Sequence, residues 1–387
     1  MIESQSACTF SFDEPQKAAE EILGQLDLTA LSGPAVGLMV CTPEFVRSGA
    51  VRAVCQALPF EVIGCTAEGI AFAGESQDRF PEGSLVLVLR VLTGRGCRFA
   101  PGVSDFLRPE TETRIEELYS RLSPRLGVPA DFLFVFQPHI SEFAGDRTVV
   151  VLDRLSGGVP LFGAVVRDEA SGGVPRTIIF NGEAYHDRMA LLLISGMESR
   201  FDSESLTVSD IRARPIMVTA SEDNKLIGVN NKNAASFMEN IGVISSGKIS
   251  VVSACPIMVD NHDGEGWKVC AIYRREEGGA LRCGVTILPG AALRVGNFTQ
   301  DEVLQSTRNF IGKIKKNTGV KNYFIISCFG RSVVLVDINK EAEMIAEELE
   351  ETGYLFFHAA GEFCPVYDGN GRTVNRFFQY SIISAGY

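Results

Sequence analysis

The stretch NYFIISCFGR at 322–331 carries an apolar, β-branched and aromatic run straight into Ser327, Cys328, Gly330 and Arg331. NKEAEMIAEELEETG follows at 339–353, and then YLFFHAAGEFCPV at 354–366. In the middle segment Glu341, Glu343, Glu347, Glu348, Glu350 and Glu351 form a charged set, and Ala342, Met344, Ile345, Ala346 and Leu349 an apolar one. This reads as an amphipathic helix between two buried strands. A strand, a helix of roughly ten residues and a second strand are the signature of a crossover with parallel strands, because parallel neighbours cannot be joined by a tight turn.

The same pattern occurs twice more. AVGLMVCTPEF at 35–45, SGAVRAVCQAL at 48–58 and FEVIGCTAEGIAF at 60–72 make one copy. DFLFVFQPHI at 131–140, DRTVVVLDRLSGG at 146–158 and VPLFGAVVRDEA at 159–170 make another. The likeness lies in pattern, with few identities. Between the copies run shorter apolar stretches such as SLVLVLRVLTG at 84–94, and turn sequences FNGEA, DNHDGEG and REEGGA that join strands as hairpins. The expected fold is therefore mixed α/β: crossover units extended by antiparallel hairpins into two mixed sheets, with helices on their outer faces. A helix is also expected at 231–242, and another over 299–319, where Thr299 and Glu302 have capping-box spacing.

At 387 residues the chain is long for one ordinary core, and a soft prior of about 100 to 200 residues per domain suggests two domains, with interleaving allowed. The polar stretch at 198–222, where the apolar rhythm restarts, sets the expected division at 1–205 and 206–387. A net charge of -12 with no long basic run argues against a nucleic-acid partner, whose phosphates need a basic patch. No apolar run approaches the roughly 20 residues of a membrane-spanning helix, and the N-terminal MIESQSACTFSFDEPQ lacks the pattern of a secretory signal. The ten cysteines show no C-x-x-C pair, which suits small buried hydrophobes in a reducing cytoplasm.

Ligands of open α/β sheets bind beyond the carboxyl ends of parallel strands. Those ends carry Cys41 and Thr42; Cys65, Thr66 and Glu68; Gln137 and His139; Gly163, Arg167 and Asp168; Cys328, Gly330 and Arg331; His358, Gly361 and Glu362. A guanidinium such as that of Arg331 suits a carboxylate, and Glu68, Asp168 or Glu362 could receive an ammonium group, so the set fits a zwitterionic small molecule. The competing reading of Arg331 is a buried salt bridge to Glu362. Cys328 and Cys65 read as packing residues, with a thiolate nucleophile as the alternative if Arg331 or His358 lowered a thiol pKa. No Walker A, G-x-G-x-x-G, H-E-x-x-H or G-x-S-x-G sequence occurs, and DNHDGEG lacks the spacing of an EF-hand loop.

VIGCTAEGIAFAGE at 62–75, GGVPLFGAVVRDEASGGVPRTIIFNGEAYHDRMALLLISG at 157–196, FIISCFGR and GYLFFHAAGEFCPV together resemble the FIST sensory family, with its N-terminal and C-terminal domains. The resemblance spans about residue 30 to the end. Its most specific pieces are Gly-Cys-Thr-Ala at 64–67, Cys-x-Gly-Arg at 328–331 and Gly-Glu at 361–362. It implies a non-enzymatic, intracellular sensor of prokaryotic signal transduction that binds amino acids or related small acids and signals through a partner in trans, a histidine kinase among the candidates. The residues carried to the site are Cys65, Thr66, Glu68, Arg167, Asp168, Cys328, Gly330, Arg331, Gly361 and Glu362. No cofactor is expected, although some members resemble haem-binding nitric-oxide sensors, for which His139 and His358 are the best-placed histidines.

Overall fold

The computed structural model describes residues 2–73, 85–167, 177–206, 216–244, 256–296, 298–349, 352–368 and 370–387. The order of elements repeats three times along the chain. The first unit comprises β1 (Glu3–Thr9), α1 (Pro15–Gln25), β2 (Ala35–Cys41), α2 (Pro43–Ser48), α3 (Ala50–Ala57), β3 (Val62–Thr66), β4 (Glu68–Ala73) and β5 (Leu87–Thr93). The second comprises β6 (Arg98–Val103), α4 (Thr111–Leu126), β7 (Phe132–Pro138), α5 (Gly145–Ser156), β8 (Leu161–Val166), β9 (Ile178–Phe180), β10 (Glu183–Tyr185) and β11 (Ala190–Ser195).

The third unit begins with β12 (Arg200–Ser205) and is then interrupted by an inserted, antiparallel region. That region holds β13 (Ile216–Glu222), β14 (Lys225–Val229), β15 (Lys232–Asn233), α6 (Ala234–Asn240), β16 (Ile257–Asp260), β17 (Lys268–Cys270), β18 (Ile272–Arg275), β19 (Leu281–Cys283) and β20 (Ala292–Val295). The unit resumes with α7 (Gln300–Ile314), β21 (Asn322–Cys328), α8 (Phe329–Leu335), α9 (Lys340–Glu348), β22 (Gly353–Ala359), β23 (Gly361–Tyr367), β24 (Thr373–Phe378) and β25 (Ser381–Gly386). The expected capping box is formed: Glu302 N–H donates to Thr299 Oγ1 at 3.2 Å and Thr299 N–H to Glu302 Oε2 at 2.8 Å.

All three crossovers have parallel strands, with β2 beside β3, β7 beside β8 and β21 beside β22. Each seeds its own sheet, in the orders β1-β5-β2-β3-β9-β10, β6-β11-β7-β8-β23-β24 and β12-β25-β21-β22-β4, and the insertion forms a further sheet. The mixed α/β class is as expected, but among the described residues two sheets become four. The cause is that each crossover keeps a sheet of its own and the insertion adds another; the three crossover sheets are joined by an exchange of strands that runs in a cycle. The strand after β3 leaves to pair with β22, the strand after β22 pairs with β8, and the strand after β8 pairs with β3, each antiparallel. An unpaired edge beside a fully buried strand would strand its N–H and C=O groups, and the donated strand satisfies them.

The inner faces of the three crossover sheets meet in one core, to which Leu38, Ile63 and Val88, Phe134, Phe162 and Leu192, and Phe324, Leu355 and Ile383 all contribute. Outside, α1, α2 and α3 cover the first sheet, α4, α5 and the insertion cover the second, and α7 and α9 cover the third. The two halves of the chain are thus interleaved: β4 completes a sheet of the C-terminal half, and β23 and β24 complete one of the N-terminal half.

Candidate ligand site at the exchanged strand ends

The exchange brings the carboxyl ends of β3, β8 and β22 together, because the residues leaving each strand cross to its neighbour. Thr66 is buried there, accepting from Thr177 N–H at 2.7 Å through Oγ1. Two residues on, Glu68 faces His358 across the β4–β22 register. Arg167, the first residue past β8, donates from Nη1 to Glu68 Oε2 at 3.0 Å, and its guanidinium carbon lies 3.8 Å from the ring centroid of Phe329. Phe329 opens α8 directly after β21. This cluster stays partly open, with side-chain exposure of 18% at Arg167 and 31% at Glu68. Cys65, just before it, points into the central core. Asp168 lies outside the described residues.

Arg331 stands elsewhere, fully buried on α8. Its pairing with Glu362 is corrected by the structure: Arg331 donates from Nε at 3.0 Å and from Nη2 at 2.8 Å to Glu341 Oε1. Nη2 also reaches Ser306 Oγ and Thr307 Oγ1 at 2.8 and 2.9 Å, while Ser327 Oγ donates to Glu341 Oε2 at 2.7 Å. Burial pushes the Glu341 carboxyl up, but Arg331 outweighs it and holds the group below the ordinary carboxylate range. Burial drives the neighbouring His358 imidazole below its usual value, against the pull of Glu341. The carbonyl of Ile338 can only accept, so His358 Nε2 carries the proton it donates there at 2.9 Å.

Glu362 lies in a second sealed cluster with Cys328. Its Oε2 accepts from Ser381 Oγ at 2.7 Å, and burial raises its carboxyl well above the ordinary value, towards the neutral form. Burial, and next Glu362, push the Cys328 thiol up as well. Tyr273 of the insertion completes this cluster, its hydroxyl accepting from Gln379 Nε2 and its ring edge-on to His139 at 4.3 Å. The two glycines of the motifs serve close packing: a Cβ on Gly330 would sit 2.7 Å from the Tyr380 ring, and one on Gly361 would sit 2.4 Å from the Phe377 ring.

The fold therefore gathers Thr66, Glu68 and Arg167 into one open cluster and seals Cys328, Gly330, Arg331, Gly361 and Glu362 into the wall behind it. Sequence reasoning missed Phe329, Glu341 and Tyr273. Glu341 was legible: it lies one helical turn before the fully buried Ile345, on the same face. As an axial haem ligand His358 does not fit. Its Nε2 is committed to Ile338, and its ring packs so close to Gly69 that a Cβ there would lie 2.3 Å from it. Among the described residues no group of His, Cys, Asp and Glu has the arrangement of a metal site.

No curated protein matches the chain. The FIST N domain family matches residues 35–232, and the FIST C domain family matches residues 231–365. The matches meet within the insertion, after β14, and together they span all three parallel crossovers, from β2 to β22. FIST domains are sensory domains of signal transduction, and this chain belongs to the FIST family.

Proposed function

We propose that the protein is a sensor of a zwitterionic small molecule of the amino-acid type, bound where Arg167, Glu68 and Phe329 meet, and that it reports to a signalling partner in trans such as a histidine kinase. The observation that carries the reading is the half-open Arg167–Glu68 pair at 3.0 Å, set against an aromatic face at the convergence of three exchanged strands. A ligand carboxylate takes the Arg167 fork and a ligand ammonium takes Glu68. Phe329 covers the stem between them. The exchange of partners is cheap, because a partly exposed ion pair is worth only about 0–1 kcal/mol. Taking Arg331 from Glu341 would instead leave a buried carboxylate unpaired, at a cost of roughly 3–5 kcal/mol.

Other features support a binding role over chemistry. The raised Cys328 thiol, sealed beside Glu362, is the reverse of an activated thiolate. A cytoplasmic setting suits ten cysteines without a C-x-x-C pair; among the described residues no helix is long and apolar enough to cross a membrane.

A thermal-melting screen of amino acids and small organic acids tests the proposal. Wild type should be stabilised by a compound carrying both charges, by about 2.7 kcal/mol at a hundredfold excess over Kd. Arg167→Ala should lose that shift. An equal shift in Arg167→Ala removes the cluster from the site, and a screen in which only singly charged acids act overturns the zwitterion.

A further inference from the structure

The largest fully buried side chain of the central core is a cation, Arg90 on β5, which is 1% exposed. Strand alternation places it on the same face as Val88 and Leu92, both in the apolar core shared by the three crossover sheets. A buried guanidinium costs several kcal/mol unless opposite charge or a full set of acceptors compensates it. Arg90 has neither among the described residues. Its Nη1 donates to Asn322 Oδ1 at 3.2 Å and to the Tyr387 hydroxyl at 3.1 Å, and its Nη2 to the Ala73 carbonyl at 3.4 Å. These acceptors are neutral, and the distances exceed the roughly 2.7–2.9 Å of charge-assisted bonds. The ring of Phe324 lies 5.9 Å from the guanidinium carbon, at the outer limit of a cation–π contact.

The unmet donors are specific. Arg90 Nε is buried without an acceptor, and the Nη2 beside it makes only the long bond to Ala73. In Arg331 this same Nε–Nη2 edge holds the carboxylate of Glu341, at 3.0 and 2.8 Å. We propose that the Nε–Nη2 edge of Arg90 binds a small monovalent anion, a halide or a planar oxyanion of the size of nitrate or formate, as the counter-charge of the central core. The site joins β5 of the first sheet to β4 and β21 of the third, so an anion there reinforces the Arg90 hydrogen bonds that tie these two sheets together.

The experiment is thermal melting at constant sodium concentration, with chloride, nitrate or formate replacing gluconate, a much larger anion. Wild type should show an anion-specific rise, of about 3 °C at a hundredfold excess over Kd. Arg90→Gln should lose the rise. If that variant does not fold, crystals of wild type grown in sodium bromide decide the matter, with an anomalous peak expected in contact with Arg90 Nε and Nη2. A salt response that follows the general salting-out order, or a bromide structure without that peak, overturns the proposal.

Discussion

Arg331 and Arg167 stand three residues and one residue past the end of a crossover strand, and both meet a glutamate, at 2.8 and 3.0 Å. Their settings are opposite. Arg331 and Glu341 are 0% and 1% exposed, enclosed by Ser306, Thr307 and Ser327, whereas Arg167 and Glu68 keep contact with solvent beneath an aromatic ring. The difference teaches how one residue pair can serve two ends. A sealed pair whose Nε–Nη2 edge is fully matched is expensive to disturb, so it fixes α8 against α7 and α9. An open pair is cheap to disturb, so it can give its charges to a ligand. Because Phe329 and Arg331 share α8, the two pairs also share a mount: the ring against Arg167 lies two residues from the anchored Arg331.

The largest expected effect breaks the sealed pair. Glu341→Ala leaves Arg331 charged in a dry site and should destabilise the protein by roughly 3–5 kcal/mol, read from urea or thermal unfolding. A loss below about 1 kcal/mol would show that the interior around Arg331 is wet, and the contrast between the two pairs would collapse. Glu341 is depressed below its ordinary value, so its contribution is present above the unfolded-state value and is lost as pH falls through the folded one.

Glu362 carries the opposite sign and a smaller expected effect. Its carboxyl is raised, so the native state holds a proton that the unfolded chain releases near pH 4.3. The stability it lends is complete below that pH and is lost as pH rises through the folded value. Glu362→Gln keeps an acceptor for Ser381 but cannot ionise. The variant should match wild type near pH 4 and gain on it by about 1.4 kcal/mol for each unit above, until the folded value is reached. Parallel stability curves for the two proteins between pH 5 and 8 would mean that Glu362 is ionised in the fold.

What could be read in the sequence follows the range of each interaction. The three crossover units were legible because strand and helix periodicities are local, and so were the hairpin turns, where Asn181 and Gly182 adopt positive φ of 49° and 87°. The cyclic exchange was not legible. The strand after β3 could satisfy its own sheet or another, and only the packing of three sheets around one core decides. The same holds for the site. Glu68 and Arg167 were visible as strand-end residues, but that they meet each other, with Phe329 above them, depends on two separate exchanges. Arg331 attracted attention as a guanidinium after a strand, and its true partner was hidden among the glutamates of α9, where only the turn-by-turn match of Glu341 with Ile345 marks it as buried. Arg90, alone among the apolar residues of SLVLVLRVLTG, carried a plain signal: a charge on the inward face of a buried strand.

The smallest expected effect is the most discriminating, because it measures both pairs on one scale. In a double-mutant cycle, Arg167→Ala, Glu68→Ala and the double variant give the coupling of the open pair free of what each side chain does alone. Partial exposure and solvent screening should hold that coupling to about 0.2–1 kcal/mol in the ligand-free protein. It should also fall as salt is raised, since screening acts on accessible charges. The matching cycle on Arg331 and Glu341 should give a coupling several times larger and nearly indifferent to salt. If the open pair instead couples as strongly as the sealed one, its charges are not available for exchange: a ligand would have to pay the cost of a buried ion pair to enter, and the zwitterion would have to bind elsewhere. A weak, salt-sensitive coupling leaves Arg167 and Glu68 poised to trade one another for a carboxylate and an ammonium group.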